Sequence, residues 1–156
     1  MQKNLSSPIL TARAIGYGGL IPFIGLSAMS VLSRDIHHSA ILFSLLAYGA
    51  TIISFLGAIH WGLAMREEHQ DRIAIIWGVV PSLVAWSSLI VDTHLGLAIQ
   101  FITLWVCFFV DYKRYPQYGV SKWLSMRLRL TVIAGVCLVL PVLMQITSEQ
   151  SMLIVY

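Results

Sequence analysis

The fold is decided by residues 39–64, SAILFSLLAYGATIISFLGAIHWGLA, a run without Asp, Glu, Lys or Arg. A membrane hydrocarbon core about 30 Å thick is crossed by about 20 helical residues, so this run is long enough for one transmembrane helix. It contains a single histidine, His60, followed directly by Trp61. The stretch therefore predicts a membrane-spanning helix and raises the question of what His60 contacts within it.

Four further apolar runs accompany this one, separated by short charged segments. Hydrophobic residues make up 58% of the 156 residues and charged residues 11%, against roughly 45–50% and about 25% in soluble domains. A soluble helical core would need polar faces for solvent, and these runs have almost none. We predict an all-α integral membrane protein, a single domain over residues 1–156 with five transmembrane helices. The predicted spans are residues 12–32, 39–64, 73–91, 95–112 and 126–146.

The distribution of lysine and arginine predicts the orientation of these spans. When the ends and loops are assigned to alternate sides, nine cations share the side of the N-terminus and one, Arg34, lies opposite. Because cationic loops stay in the cytoplasm, we expect a cytoplasmic N-terminus and a periplasmic C-terminus. Topology thus explains the basic residues, and nucleic acid is not needed as a partner. The nine cations are Lys3, Arg13, Arg66, Arg72, Lys113, Arg114, Lys122, Arg127 and Arg129.

Several polar residues of different predicted spans lie at a similar depth in the membrane. His60 lies near the inner end of the second span, Asp111 ends the fourth, and Arg127 begins the fifth, one turn before Thr131. Ionisable groups within a span are costly in contact with lipid and usually face a partner or a water-filled cavity. We therefore expect His60, Asp111 and Arg127, with Arg129 nearby, to form a polar network close to the inner face.

Two interpretations of this network are open. It can be a structural set of hydrogen bonds that joins three helices, since polar contacts between membrane helices often serve packing. It can instead bind the head group of a quinone, a lipid or a similar amphiphile, with His60 donating a hydrogen bond and Trp61 forming a wall. A proton relay is less favoured, because no row of carboxylates continues through the middle of the bilayer. The cofactor, if any, is unknown at this point.

A second polar group is predicted on the outer side. His37 and His38 follow Asp35 in the first loop, and Asp92 and His94 lie in the third. Imidazole and carboxylate side chains suit zinc or copper, and these loops are short enough to meet. None of the spacings matches a tight metal-binding signature. Metal handling at the outer face is therefore an alternative function, with His37, His38, Asp92 and His94 as the candidate ligands.

The longest predicted loop, residues 113–125, interleaves aromatic and cationic side chains. This composition is typical of the head-group layer, where each Lys or Arg is attracted to anionic lipid by about 1 kcal/mol. Membrane lipid is the first expected partner of this loop, and a cytoplasmic protein is the second. Small residues at helical spacing, such as Ala50, Ser54, Ala58 and Gly62, permit close helix packing and therefore a homo-oligomer.

Three motifs resemble a known family. They are YGATIISFLGAIHWGLA at residues 48–64, PSLVAW at residues 81–86, and Asp111 followed later by RLRLT at residues 127–131. They are similar to a bacterial domain of unknown function, a family of small multi-span membrane proteins related to mitochondrial transmembrane protein 69. The resemblance covers most of the chain and implies an inner-membrane protein, without implying an activity. The matching motif positions are His60, Trp61, Gly62, Pro81, Trp86 and Arg127.

The sequence contains no glycine-rich phosphate loop, nucleophile elbow or pair of catalytic acids. We predict a noncatalytic scaffold or assembly factor in the bacterial inner membrane. The first alternative is a binding module for a quinone, lipid or similar amphiphile, and the second is metal handling at the outer face. The candidate ligand-binding residues are His60, Trp61, Trp86, Asp111, Arg127 and Arg129.

Overall fold

Six α-helices form almost all of the chain that the structure, a computed structural model, describes: residues 6–33, 36–66 and 72–153. Within these ranges the regular structure is helical and no strand occurs, so the predicted all-α class is confirmed. The helices are α1 (Ser6–Gly18), α2 (Leu20–Leu32), α3 (His38–Arg66), α4 (Arg72–Ser88), α5 (Thr93–Arg114) and α6 (Leu124–Leu153), the last preceded by a 3₁₀ turn, Ser121–Trp123.

Four segments of the described chain are long and apolar enough to cross a membrane. They are Ile9–Leu32, His38–Arg66, Thr93–Arg114 and Ser121–Gln145. The helix α4 has 17 residues, which is about 25 Å at 1.5 Å per residue and less than the usual span of about 20 residues. The third predicted span, residues 73–91, is therefore shorter than expected. The count of five spans and their orientation stay predictions.

The first predicted span consists of two helices. The segment Ile9–Leu32 has membrane length, but α1 ends at Gly18 and α2 begins at Leu20. Glycine is a weak helix former, and Pro22 lacks the N–H that would bond to the carbonyl one turn earlier. The Tyr48 hydroxyl of α3 donates a 2.8 Å hydrogen bond to the carbonyl oxygen of Gly19. A neighbouring helix thus supplies a polar partner at the interruption, as membrane helices require.

The helix α3 lies at the centre and packs against α2, α4, α5 and α6. Its buried face includes Leu45, Leu46 and Ile53, and it continues to His60. The outside of the bundle is also apolar, as the exposed Phe55 illustrates. Such an exterior suits lipid, where helix association depends on packing and polar contacts rather than on removing apolar surface from water.

Close backbone approach joins α3 to α4. A side chain added to Gly57 would overlap the carbonyl oxygen of Gly78, so glycine is required where these two helices cross. The predicted small-residue stripe is only partly inside the bundle, because Ala58 and Gly62 are exposed. The packing face of α3 is therefore rotated away from part of that stripe.

A polar contact inside the bundle fixes α5 against α3 and α4. The Gln100 amide nitrogen donates to the carbonyl oxygen of Leu46 and to the hydroxyl of Ser88, both at 2.9 Å. The Ser88 hydroxyl in turn donates to the carbonyl oxygen of Ala85 at 2.6 Å. Gln100 fits because Gly49 lies opposite it, and a Cβ at Gly49 would overlap the Gln100 amide oxygen.

The two ends of the bundle differ in charge. The helices α3 and α5 end, and α4 and α6 begin, at the same end of the bundle. Arg66, Arg72, Lys113, Arg114 and Lys122 belong to this end, which we call the basic end. The helix α4 carries the chain from there to the opposite end, where Asp92 caps α5.

Candidate functional site

Three charged or polar side chains from three helices meet at the basic end. The His60 Nε2 of α3 donates to Asp111 Oδ1 of α5 at 2.8 Å, since a carboxylate oxygen can only accept. The Arg127 Nε of α6 donates to Asp111 Oδ2 at 2.7 Å, and Arg127 Nη2 lies 2.6 Å from the same oxygen. The structure therefore brings together His60, Asp111 and Arg127, which we expected to be neighbours from their positions along the predicted spans.

Burial makes this network energetically demanding. His60 and Asp111 are each 1% exposed and Arg127 is 8% exposed. An isolated charge in such surroundings would be strongly destabilising, whereas a hydrogen-bonded pair offsets much of its own desolvation. The Asp111 carboxylate receives nitrogen contacts on both oxygens, so it is held from two sides and joins α3, α5 and α6.

Tyr115 packs beside the network, just beyond the end of α5. Its backbone N–H donates to the carbonyl oxygen of Asp111 at 2.8 Å, and its ring centroid lies 6.2 Å from that of His60. Burial, with a smaller contribution from the Asp111 carboxylate, raises the pKa of Tyr115 to about 12. Its hydroxyl is therefore protonated at neutral pH.

The loop after α5 holds Tyr115 and leads into α6. The Val120 N–H donates to the Tyr115 carbonyl oxygen at 3.0 Å, and Gly119 has a φ of 66°, a left-handed conformation that glycine adopts without steric cost. From the end of α3, Arg66 Nη2 donates to the Tyr118 carbonyl oxygen at 3.2 Å. These bonds fix the loop over the network and direct the chain toward Arg127.

A cavity of about 720 Å³ opens next to the network, within the usual range of about 300–1,000 Å³ for ligand pockets. Arg127, Tyr115 and Thr131 supply its polar side chains. The other lining residues are apolar, aromatic or glycine: Ala12, Ile15, Gly16, Gly19, Leu20, Phe23, Ile52, Phe55, Leu56, Ile59, Leu63, Leu104, Val120, Trp123, Met126, Leu130 and Ala134.

The cavity has a polar end and an apolar remainder. Arg127 and Tyr115 lie at the basic end, whereas Phe23 and Ile52 lie further along α2 and α3, toward the middle of the bundle. Among the lining residues, Phe55 is 62% exposed and Ile15 is 70% exposed. The cavity therefore reaches the lipid-facing surface between α1 and α3.

Thr131 adds a polar atom without a partner. It lies one turn after Arg127 on α6, lines the cavity and is 1% exposed. Its Oγ1 makes no hydrogen bond with any described residue, although a helical threonine can usually bond to the carbonyl oxygen one turn earlier. Buried hydroxyl groups are normally paired, so this atom is available to a bound molecule.

The structure separates the remaining ligand-binding candidates from this cavity. Trp61 does not line it: its Nε1 donates to the Ile75 carbonyl oxygen of α4 at 2.6 Å, and its indole ring packs on Gly78. Trp86 is 62% exposed on α4, and Arg129 is exposed on α6. Neither belongs to the network of His60, Asp111 and Arg127, nor to the cavity lining.

Sequence reasoning did not identify Tyr115 as part of the site. As one of the aromatic residues of the 113–125 loop, Tyr115 is expected from the sequence to lie in the head-group layer. Its spacing offered a signal, because Tyr115 follows Asp111 by one helical turn and so continues the same face of α5. The cavity itself left no such signal, since its walls come from five helices and have the same apolar composition as the lipid-facing surface.

Asp92 and His38, two of the predicted outer residues, make local contacts. Asp92 caps α5 by accepting hydrogen bonds from the backbone N–H groups of His94 and Leu95 at 3.0 and 3.2 Å. The hydrogen bond from the Leu95 N–H is the largest cause of the lowered pKa of Asp92; burial opposes it, and the bond from His94 makes a smaller contribution in the same direction as that from Leu95. His38 Nδ1 lies 2.9 Å from the Ser33 carbonyl oxygen.

Within residues 6–33, 36–66 and 72–153, no three His, Cys, Asp or Glu side chains converge on a point where a metal ion could bind. The structure therefore does not bring His37, His38, Asp92 and His94 together as one set of ligands. Asp35, which was predicted beside them, lies outside the described residues.

Comparison with known proteins places the chain in a family. Residues 9–143 match the family model described as "Protein of unknown function (DUF3429)". The chain is 31% identical over 142 residues to Transmembrane protein 69 of Xenopus tropicalis, covering 88% of this chain and 55% of that protein. It is 26% identical over 137 residues to Transmembrane protein 69 of Mus musculus, covering 84% and 55%.

The chain thus spans about half the length of the curated relatives that it matches. No solved structure matches it. The family match, the relatives' names and the apolar helices agree with the resemblance found in the motifs around His60, Pro81 and Arg127. This chain is a multi-pass membrane protein and belongs to the DUF3429 family of proteins of unknown function.

Proposed function

We propose that this protein is a noncatalytic membrane protein that holds one amphiphilic molecule, with the polar head of that molecule at Arg127 and its apolar chain along α2 and α3. The observation that carries the proposal is the cavity of about 720 Å³, whose polar side chains are Arg127, Tyr115 and Thr131 and whose other walls are apolar. A mostly apolar pocket with a few convergent polar groups is the usual form of a small-molecule site.

The direction of the cavity supports an amphiphile over a soluble metabolite. Its polar end lies at the basic end of the bundle, and its apolar part extends toward the middle. A lipid in a bilayer has the same polarity, with its head near the surface and its chain toward the centre. Entry from the membrane requires no passage through water, because Ile15 and Phe55 border the cavity at the lipid-facing surface.

The scaffold function predicted from the sequence is the second candidate. The order of the loop after α5 favours it, because Arg66 and Gly119 hold this loop in a defined conformation. Tyr112, Lys113 and Lys122 are exposed around it. A rigid surface with exposed cationic and aromatic side chains suits an acidic protein partner or anionic lipid head groups. Loss of a copurified partner when Lys113 and Lys122 are both changed to Gln would support this function.

We also propose that the basic end faces the cytoplasm of a bacterial cell and that the protein lies in the inner membrane. The argument is the excess of Lys and Arg at this end, which favours retention on the cytoplasmic side. On this orientation the head group of the bound amphiphile lies in the cytoplasmic leaflet.

The amphiphile proposal is tested by a pair of variants in α1. Ala12 lines the cavity, whereas Ala14 does not, and both are exposed in the bundle. We expect Ala12→Trp to reduce the amount of amphiphile that copurifies with the protein by about tenfold, because the indole ring occupies part of the cavity. Ala14→Trp should retain the wild-type amount. The measurement is mass spectrometry of organic extracts, expressed per mole of purified protein.

The comparison of extracts has two decisive outcomes. A molecule that is present at about one per protein in the wild type and in Ala14→Trp, but depleted in Ala12→Trp, supports a specific site. Extracts that are equal in all three proteins contradict it, because lipid that merely surrounds the helices does not respond to the cavity.

A further inference from the structure

We propose that the head group held in this cavity is uncharged and offers an oxygen acceptor, as the carbonyl and hydroxyl groups of a neutral lipid do, and that an anionic head group is rejected. The inference rests on the proposed function and specifies the class of ligand. It follows from how the charge of Arg127 is used inside the protein.

The charge of Arg127 is already neutralised. Its Nε and Nη2 both lie within 2.7 Å of Asp111 Oδ2, and both residues are almost completely buried. A phosphate or carboxylate that approached the guanidinium from the cavity would also approach the Asp111 carboxylate. Repulsion between like charges is strong where little water screens them, so this pair offers no net attraction to an anion.

Asp111 is not free to move aside for an incoming anion. Its second oxygen, Oδ1, accepts the hydrogen bond from His60 Nε2 at 2.8 Å, and His60 is itself 1% exposed in the face of α3. Rotation of the carboxylate would break contacts with two helices at once. His60 is therefore a positioning residue, which acts on the ligand through Asp111.

Hydrogen-bond donors remain after the ion pair has formed. A guanidinium carries five N–H groups, and the Asp111 oxygen accounts for only part of this set. Thr131 lines the same cavity one turn further along α6, and its hydroxyl makes no bond to a described residue. These groups can donate to an oxygen acceptor without any change in the net charge of the site.

No other side chain of the cavity supplies a compensating charge. Among the described residues that line it, Arg127 and Tyr115 are the only ionisable groups, and Tyr115 is neutral because its pKa is about 12. A neutral head group therefore matches the site, whereas an anion would enter an apolar cavity without a counter-ion.

Two single-chain lipids that differ by one phosphate group test this inference. Monooleoylglycerol and oleoyl lysophosphatidic acid share one acyl chain and a glycerol hydroxyl group, and the second adds a phosphate. The purified 156-residue protein in a nonionic detergent is mixed with equal concentrations of both lipids, and native mass spectrometry measures the bound fraction of each. We expect wild type to bind monooleoylglycerol at least about tenfold more tightly than oleoyl lysophosphatidic acid, which corresponds to a difference in binding free energy of about 1.4 kcal/mol.

Variants connect this preference to the residues. Asp111→Asn removes the charge that neutralises Arg127, so we expect the ratio of neutral to anionic lipid to fall at least fivefold. Thr131→Val should reduce binding of the neutral lipid about fivefold because a donor is lost. Thr103→Val is the matched control, since the Thr103 hydroxyl bonds within its own helix at 2.7 Å, to Ile99, and does not line the cavity.

The outcomes separate the two levels of the proposal. If wild type binds oleoyl lysophosphatidic acid as tightly as monooleoylglycerol, or more tightly, the inference is overturned and the proposed amphiphile function is unaffected. An unchanged ratio in folded Asp111→Asn also overturns it. If Asp111→Asn does not fold, the test rests on Thr131→Val. The inference is then overturned if Thr131→Val and Thr103→Val bind the neutral lipid equally well. Binding of neither lipid above the level of an unrelated membrane protein contradicts the proposed function itself.

Discussion

Arg127 Nε donates a 2.7 Å hydrogen bond to Asp111 Oδ2, and through this one carboxylate α6 is joined to α5 and α3. The bond lies in the buried interior of the bundle, where an unpaired charge would strongly destabilise the fold. The ion pair explains how two oppositely charged residues of different helices are accommodated in the interior of a mostly apolar bundle.

We expect Asp111→Asn to lower the free energy of unfolding by about 3 kcal/mol, because it leaves Arg127 buried without its counter-ion. The measurement is reversible unfolding in mixed micelles, followed by helical circular dichroism. Arg129→Gln is the control, since Arg129 is exposed two positions away, and its effect should stay within about 0.5 kcal/mol. The double variant Asp111→Asn/Arg127→Gln should lose less free energy of unfolding than the two single variants lose in sum. Strictly additive losses would contradict a stabilising interaction between Asp111 and Arg127.

Gly49→Ala is expected to destabilise the protein by about 1–3 kcal/mol, because the new methyl group overlaps the Gln100 amide. In a Gln100→Ala background the same change should cost much less, since the overlapping atoms are gone. Gly25→Ala is the control: nothing lies within 4 Å of a Cβ there, and alanine favours the helix. If Gly49→Ala lowers stability equally in the wild type and in the Gln100→Ala background, the strain does not arise from overlap with Gln100.

Trp61→Phe should lower stability by about 1 kcal/mol through loss of the hydrogen bond to the Ile75 carbonyl oxygen. Because Trp61 does not line the cavity, we expect the amount of copurified amphiphile to stay at the wild-type level. Organic extraction of the folded variant measures this directly. Depletion of the amphiphile in Trp61→Phe would instead restore the tryptophan wall suggested by the sequence.

The pKa of Tyr115, raised to about 12 from an ordinary value near 10.0 by burial and the Asp111 carboxylate, predicts a late ionisation step. The folded state binds this proton more tightly than the unfolded chain. The resulting stability is therefore fully present below about pH 10 and is lost as pH rises through about 12. Tyrosinate absorbance should lose its highest-pH step in Tyr115→Phe and retain it in Tyr112→Phe, the exposed control. Loss of a step near pH 10 in Tyr115→Phe would contradict the burial effect.

Reporter fusions test the proposed orientation. With a cytoplasmic basic end, alkaline phosphatase fused after Gln145 of α6 should be active, because it lies in the periplasm. The same enzyme inserted at Gly119 should be inactive, and green fluorescent protein should show the opposite pattern. Both predictions follow from the excess of cations at the basic end. An active phosphatase at Gly119 would reverse the orientation.

Much of the architecture could be predicted from local sequence, and some of the site as well. Depth along a helix is proportional to residue number, so His60, Asp111 and Arg127 could be assigned to one layer before their contacts were known. The direction in which Trp61 points could not be assigned in the same way. Its neighbour Gly78 comes from another helix, so this direction depends on how α4 packs against α3.

The sequence by itself determined that this chain forms apolar helices with a basic end, because hydropathy, length and cation distribution act segment by segment and need no tertiary partner. Only the tertiary structure decided which faces of those helices meet. In a membrane protein the buried and lipid-facing sides are both apolar, so hydrophobic periodicity does not distinguish them. The cavity beside Arg127 and the close contact between Gly49 and Gln100 therefore depend on how the helices pack.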